Sequence, residues 1–135
     1  MLIYLAASRR PAPPHGATTP DCDIQRGPCI QSLAGGTASL DISPRPVRAM
    51  TDLAFRLTID PPPASGEAFG DSPFIDLDMP DMFMGYNRIT MTRELPGVYS
   101  GAGVIVRCPS GIPTWKARVT VPGLGEAVFV FDVLY

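Results

Sequence analysis

Sulfur is the chemistry this sequence concentrates. Met79, Met82 and Met84 stand within six residues, in Met79-Pro80-Asp81-Met82-Phe83-Met84-Gly85. Thioethers are soft donors, and copper(I) is an ion that favours them. Pro80 ends any strand that precedes it. Met82 and Met84 recur at the extended-chain period, so their sulfurs can point the same way. The same residues suit a second use. Methionine also fills irregular core edges, and Met79 falls on an apolar face. Met82-Phe83-Met84, with Tyr86 beside it, would equally make an apolar contact surface for another protein. Two readings therefore stay open: copper(I) held by Met79, Met82 and Met84, or docking through Met82, Phe83, Met84 and Tyr86.

The cysteines are Cys22, Cys29 and Cys108, and an odd count prevents a fully paired intramolecular set. Cys22 and Cys29 flank Asp23-Ile24-Gln25-Arg26-Gly27-Pro28, whose Gly-Pro can turn the chain back. A disulfide there would remove roughly 2.5 kcal/mol of unfolded-chain entropy; two free thiols are the alternative. The spacing is not that of a thioredoxin-like motif. Zinc would need about four ligands, and the single histidine, His15, sits in a Pro-rich tail. Asp76 and Asp78 share a strand face about 7 Å apart, with Asp81 following. Calcium wants about six to eight oxygens in a wrapping loop, so a solvated outer face is the expectation here.

Catalysis needs a tunable group beside an orienting partner. The lone histidine is remote from the rest, and no nucleophile elbow, phosphate-binding loop or metalloprotease helix occurs. Cys108 alternates onto the face of Val104 and Val106, which suits a small buried hydrophobe. These residues point to a binding or interaction module, not an enzyme.

The elements that must position them read as strands. Ala38–Ile42 is the first expected strand, stopped by Pro44 and Pro46. Asp52–Ile59 sets Phe55, Leu57 and Ile59 on one face. Phe74–Met79 sets Ile75, Leu77 and Met79 inward. Asn87–Arg93 places Ile89 and Met91 together. Val98–Cys108 puts Val98, Ala102, Val104, Val106 and Cys108 on one face, with Gly101 and Gly103 opposite, a sign of a bulge or close strand approach. Thr114–Val121 aligns Trp115, Ala117, Val119 and Val121, and Glu126–Leu134 aligns Ala127, Phe129, Phe131 and Val133. No helical period is sustained. About seven short strands separated by turns predict an all-β fold, an immunoglobulin-like antiparallel β-sandwich. Residues 1–37 are expected as a Pro-rich arm and Cys loop, and residues 38–135 as the domain.

Length and charge narrow the partners. At 135 residues the chain suits one domain. A net charge of −2 with scattered arginines offers no basic face for nucleic acid. No stretch reaches the roughly 20 apolar residues of a membrane span.

The run Met79 to Asn87, then Pro96-Gly97-Val98-Tyr99-Ser100-Gly101, then Arg107-Cys108-Pro109-Ser110-Gly111 and Trp115 resembles the YtkA-like domain, related to FixH-type proteins. The resemblance covers roughly residues 38–134. It implies an immunoglobulin-like sandwich in the periplasm or at the cell exterior, with a metal-handling or membrane protein as partner. No catalytic residue carries over. The sequence departs from that picture in two ways. Met1–Ala7 is apolar but short and precedes Ser8-Arg9-Arg10, so an intact export signal is not seen. The domain also has no histidine, which weakens any copper(II) version.

Overall fold

A computed structural model describes residues 22–62, 72–79, 87–107, 109 and 111–135. These residues form nine strands and no helix. The strands are β1 (Cys29–Leu33), β2 (Gly36–Ser43), β3 (Leu53–Asp60), β4 (Phe74–Asp78), β5 (Arg88–Thr90), β6 (Thr92–Leu95), β7 (Val98–Gly103), β8 (Thr114–Val121) and β9 (Gly125–Asp132). Two antiparallel sheets result, one ordered β1-β2-β3-β7-β6 and the other β5-β4-β8-β9. The fold is an all-β sandwich, with nine described strands where about seven were expected.

Strict alternation makes the core. In β3, every second residue from Leu53 to Ile59 is buried, and the intervening residues are exposed. β8 buries Trp115, Ala117, Val119 and Val121 against Ala127, Phe129 and Phe131 of β9. Leu40 and Ile42 of β2 and Ile75 and Leu77 of β4 complete the facing layers. Turn chemistry closes the hairpins: Gly97, after Pro96, has φ 79°, a conformation that only glycine takes without strain.

Three expectations need correction. The stretch 22–37, read as loop, carries a strand: β1 pairs β2 from Cys29↔Leu40 to Leu33↔Gly36 across a two-residue turn. Its pattern was concealed because Ile30 points to solvent at 67% exposure while Cys29 and Leu33 point inward. The stretch Asn87–Arg93 is not one strand. β5 pairs β4, β6 pairs β7, and the chain changes sheets at Met91.

The third correction is the parity of β7. Val106, expected inside, is 40% exposed, and Ala102 is exposed as well. Tyr99 and Ile105 are the buried residues, and Gly101 and Gly103 share their face. The reason is the crossing strand. A Cβ on Gly101 would lie 2.7 Å from Ile89 Cγ2 and 2.9 Å from Met91 Sδ, and one on Gly103 would lie 2.6 Å from Ile89 Cδ1. Ile89 and Met91 occupy the room that side chains would need. The close approach expected at these glycines is present, and the register irregularity falls in β6, between Arg93 and Leu95. Gly101→Ala should destabilise by about 1–3 kcal/mol. Gly103→Ala should cost a similar amount, because its Cβ would meet not only Ile89 Cδ1 but also Ile89 Cγ1, at 2.9 Å. Urea unfolding of the two variants checks both.

Candidate functional site

The strand that leads into the methionine-rich stretch ends at a fixed point. Alternation along β4 carries Met79 inward, where it is 3% exposed and part of the core. Asp78 turns its carboxylate back, and Oδ1 accepts the Met79 N–H at 2.9 Å. Pro80 follows. After that stretch in sequence, Asn87 is fixed by its carbonyl, which accepts the Leu77 N–H at 3.0 Å, and by its side-chain amide, which donates to the Val104 carbonyl at 3.3 Å. Met82, Phe83, Met84 and Tyr86 lie outside the described residues, as do Asp81, His15, Cys108 and Ser110. The structure thus places Met79 with its thioether among core side chains and fixes both neighbours of 80–86.

The carboxylates near this stretch are engaged. Arg88 grips Asp76 with two hydrogen bonds, Nε to Oδ1 at 2.8 Å and Nη2 to Oδ2 at 3.2 Å. The same guanidinium lies 4.0 Å above the Phe74 ring. Asp76↔Arg88 is a cross-strand pair, so strand register delivers this arrangement. Asp76 and Asp78 occupy a solvated outer face. Among the described residues, no group of three or more His, Cys, Asp or Glu could hold a metal ion.

Sulfur also appears as a covalent link. Cys22 and Cys29 are joined by a disulfide, with Cα atoms 5.8 Å apart. Between them Asp23 organises a turn: its side chain accepts the Gln25 N–H at 3.1 Å, and its carbonyl accepts the Arg26 N–H at 2.9 Å. That turn drives Ile24 into the core, where it is fully buried. It also aims Gln25 at two other segments. The Gln25 amide accepts the Val47 N–H at 2.6 Å and donates to the carbonyls of Val47, at 3.0 Å, and Asp132, at 3.2 Å. Sequence reasoning passed over Gln25, because an isolated glutamine in a Cys loop carries no pattern. Only the fold brings residues 25, 47 and 132 together.

The Cys22–Cys29 turn, Met79 and several exposed apolar side chains share one end of the sandwich. Pairing of Thr114 with Asp132 and of Lys116 with Asp78 puts the ends of β9 and β4 there. The connecting segments are laced by backbone bonds, Met50 N–H to Ile105 O at 2.8 Å and Ala49 N–H to Leu134 O at 2.8 Å. Met50, Val106, Ile112 and Leu134 are exposed on these segments. Met50 holds φ 63°, a left-handed conformation uncommon for a residue with a side chain.

Compared with protein-family models, curated proteins and solved structures, the chain matches none. No helix among the described residues is long and apolar enough to cross a membrane.

Proposed function

We propose that this chain is a non-enzymatic, extracytoplasmic β-sandwich module that engages its ligand through the stretch from Met79 to Tyr86. The observation that carries the reading is the double anchoring of that stretch, at Met79 in the core and at Asn87 on Leu77 and Val104. Met79 and Asn87 are fixed points at one end of the fold, and a rigid scaffold of that kind positions loops that carry binding residues. The Cys22–Cys29 disulfide supports an oxidising compartment. The resemblance to YtkA-like domains supports the same compartment and a metal-handling or membrane protein as partner.

Copper(I) is the ligand the sulfur spacing favours. Burial of Met79 leaves Met82 and Met84 as the thioethers proposed for the site. Thioethers need no deprotonation, so binding should persist at acid pH, where thiolate or imidazole sites fail. Replacing Met82 and Met84 together by leucine keeps apolar volume and removes sulfur. Copper(I) titration under reducing conditions should show binding weakened at least about tenfold, or about 1.4 kcal/mol, with stability unchanged. Equal affinity in both proteins would eliminate the thioether site. The second reading, apolar docking through Met82, Phe83, Met84 and Tyr86, would then stand. The exposed Met50, Val106, Ile112 and Leu134 at the same end favour it.

A further inference from the structure

The strap from Cys22 to Cys29 is held by three kinds of contact. Ile24 sits in the core, Gln25 clamps Val47 and Asp132, and one covalent bond closes the turn. Gln25 imitates a peptide group, giving Val47 both a donor and an acceptor partner as a neighbouring strand would. The segment it clamps is the one that carries Arg48 and Met50 onto the end of the sandwich, since Val47 O accepts the Leu134 N–H and Met50 N–H reaches Ile105 O. The clamp therefore bears on that whole end.

The two sulfurs differ. Cys29 is 3% exposed, at the start of β1, whereas Cys22 is only partly buried. Ordering the strap costs backbone and side-chain entropy, and one buried isoleucine and one amide clamp must offset it. Ring closure lowers that cost by limiting what the free strap can explore. The remainder of the domain does not depend on it in the same way, because β2–β9 supply the rest of the core.

We propose that the Cys22–Cys29 strap is a redox-controlled latch: oxidised, it locks the 47–50 segment through Gln25, and reduced by a dithiol, it detaches while the sandwich stays folded. In the reduction, a thiolate of the dithiol attacks Cys22 Sγ, on the less buried of the two cysteines. The Cys22–Cys29 bond breaks, and Cys29 leaves as a thiolate that takes up a proton. The second thiol of the reductant then attacks the mixed disulfide and releases Cys22. Two electrons and two protons pass to the protein, and the reductant becomes a disulfide. This latch stands whether the end it controls binds copper(I) or a protein.

Native-state amide exchange with and without excess dithiothreitol tests it. Reduction should speed exchange of the Val47 N–H at least about tenfold while Leu57 and Phe129 stay protected, the mark of local opening. In the oxidised protein, Gln25→Met should speed Val47 while Leu57 and Phe129 stay protected. In Cys22→Ala/Cys29→Ala, Val47 should already exchange fast and dithiothreitol should change nothing further. Unchanged Val47 protection after complete reduction, verified by thiol counting on the unfolded chain, overturns the latch. Equal acceleration at all three amides also overturns it, because the bridge would then be a global stabiliser.

Discussion

Trp115→Ala should lower the unfolding free energy by about 3–5 kcal/mol, the largest single-residue loss expected in this chain. Trp115 is fully buried, the bulkiest side chain of the core, and sits opposite Phe131 in the β8–β9 pair. Removing it leaves a cavity that the strands on either side cannot collapse to fill. It also ends a hydrogen-bond chain. Trp115 Nε1–H donates to Tyr135 Oη at 3.0 Å, and the Tyr135 hydroxyl donates to the Ile112 carbonyl. Trp115→Phe separates the two contributions. It keeps most of the apolar volume, and Tyr135 retains its bond to Ile112, so the loss should fall to about 1–2 kcal/mol. Urea unfolding gives both values. A loss below about 1 kcal/mol for Trp115→Ala would contradict the packing described here.

The second large effect comes from a backbone collision. In Gly36→Ala, the new Cβ would lie 2.5 Å from the Asp60 carbonyl oxygen and 2.9 Å from Pro61 Cδ. Neither can rotate aside, unlike a side-chain end. Relief requires moving the end of β3 away from β2, where Thr37 pairs with Asp60. The expected loss is about 2–3 kcal/mol. Gly27→Ala is the control, since nothing lies within 4 Å of the added carbon, and its effect should stay within about 0.5 kcal/mol. Denaturant midpoints of the pair would show whether close approach, rather than glycine loss itself, sets the cost.

What alternation could announce, the sequence announced. β3, β4, β8 and β9 each bury every second residue, so Phe55, Leu77, Trp115 and Phe129 were legible as core. β7 was misread because its inner face is built of Gly101 and Gly103. A face without side chains has no apolar signature, and the valines on the other parity took its place. β6 was hidden for a related reason: all four of its residues are exposed, so nothing separated it from β5. The sulfur chemistry was legible only as spacing. The 79–84 run could not reveal that Met79 belongs to the core, nor could Cys22 and Cys29 reveal that Gln25 between them clamps two distant segments. Those facts depend on contacts between residues far apart in the chain, which local pattern does not encode.

The order of strands bears on how fast this protein can fold. β3 must find β7, pairing Leu57 with Tyr99, while β4, β5 and β6 intervene in the chain and two of them belong to the other sheet. Arg48 likewise meets Leu134 in a parallel bridge, almost at the end of the sequence. Such pairings close long chain segments before any contact rewards them, so the nucleation barrier is raised by entropy. Local hairpins, β1–β2 and β8–β9, can form early, but neither buries a complete core alone. Refolding on the scale of milliseconds to seconds follows from that high contact order, and a chain released from synthesis would leave the edges of β3 and β7 unpaired for that interval.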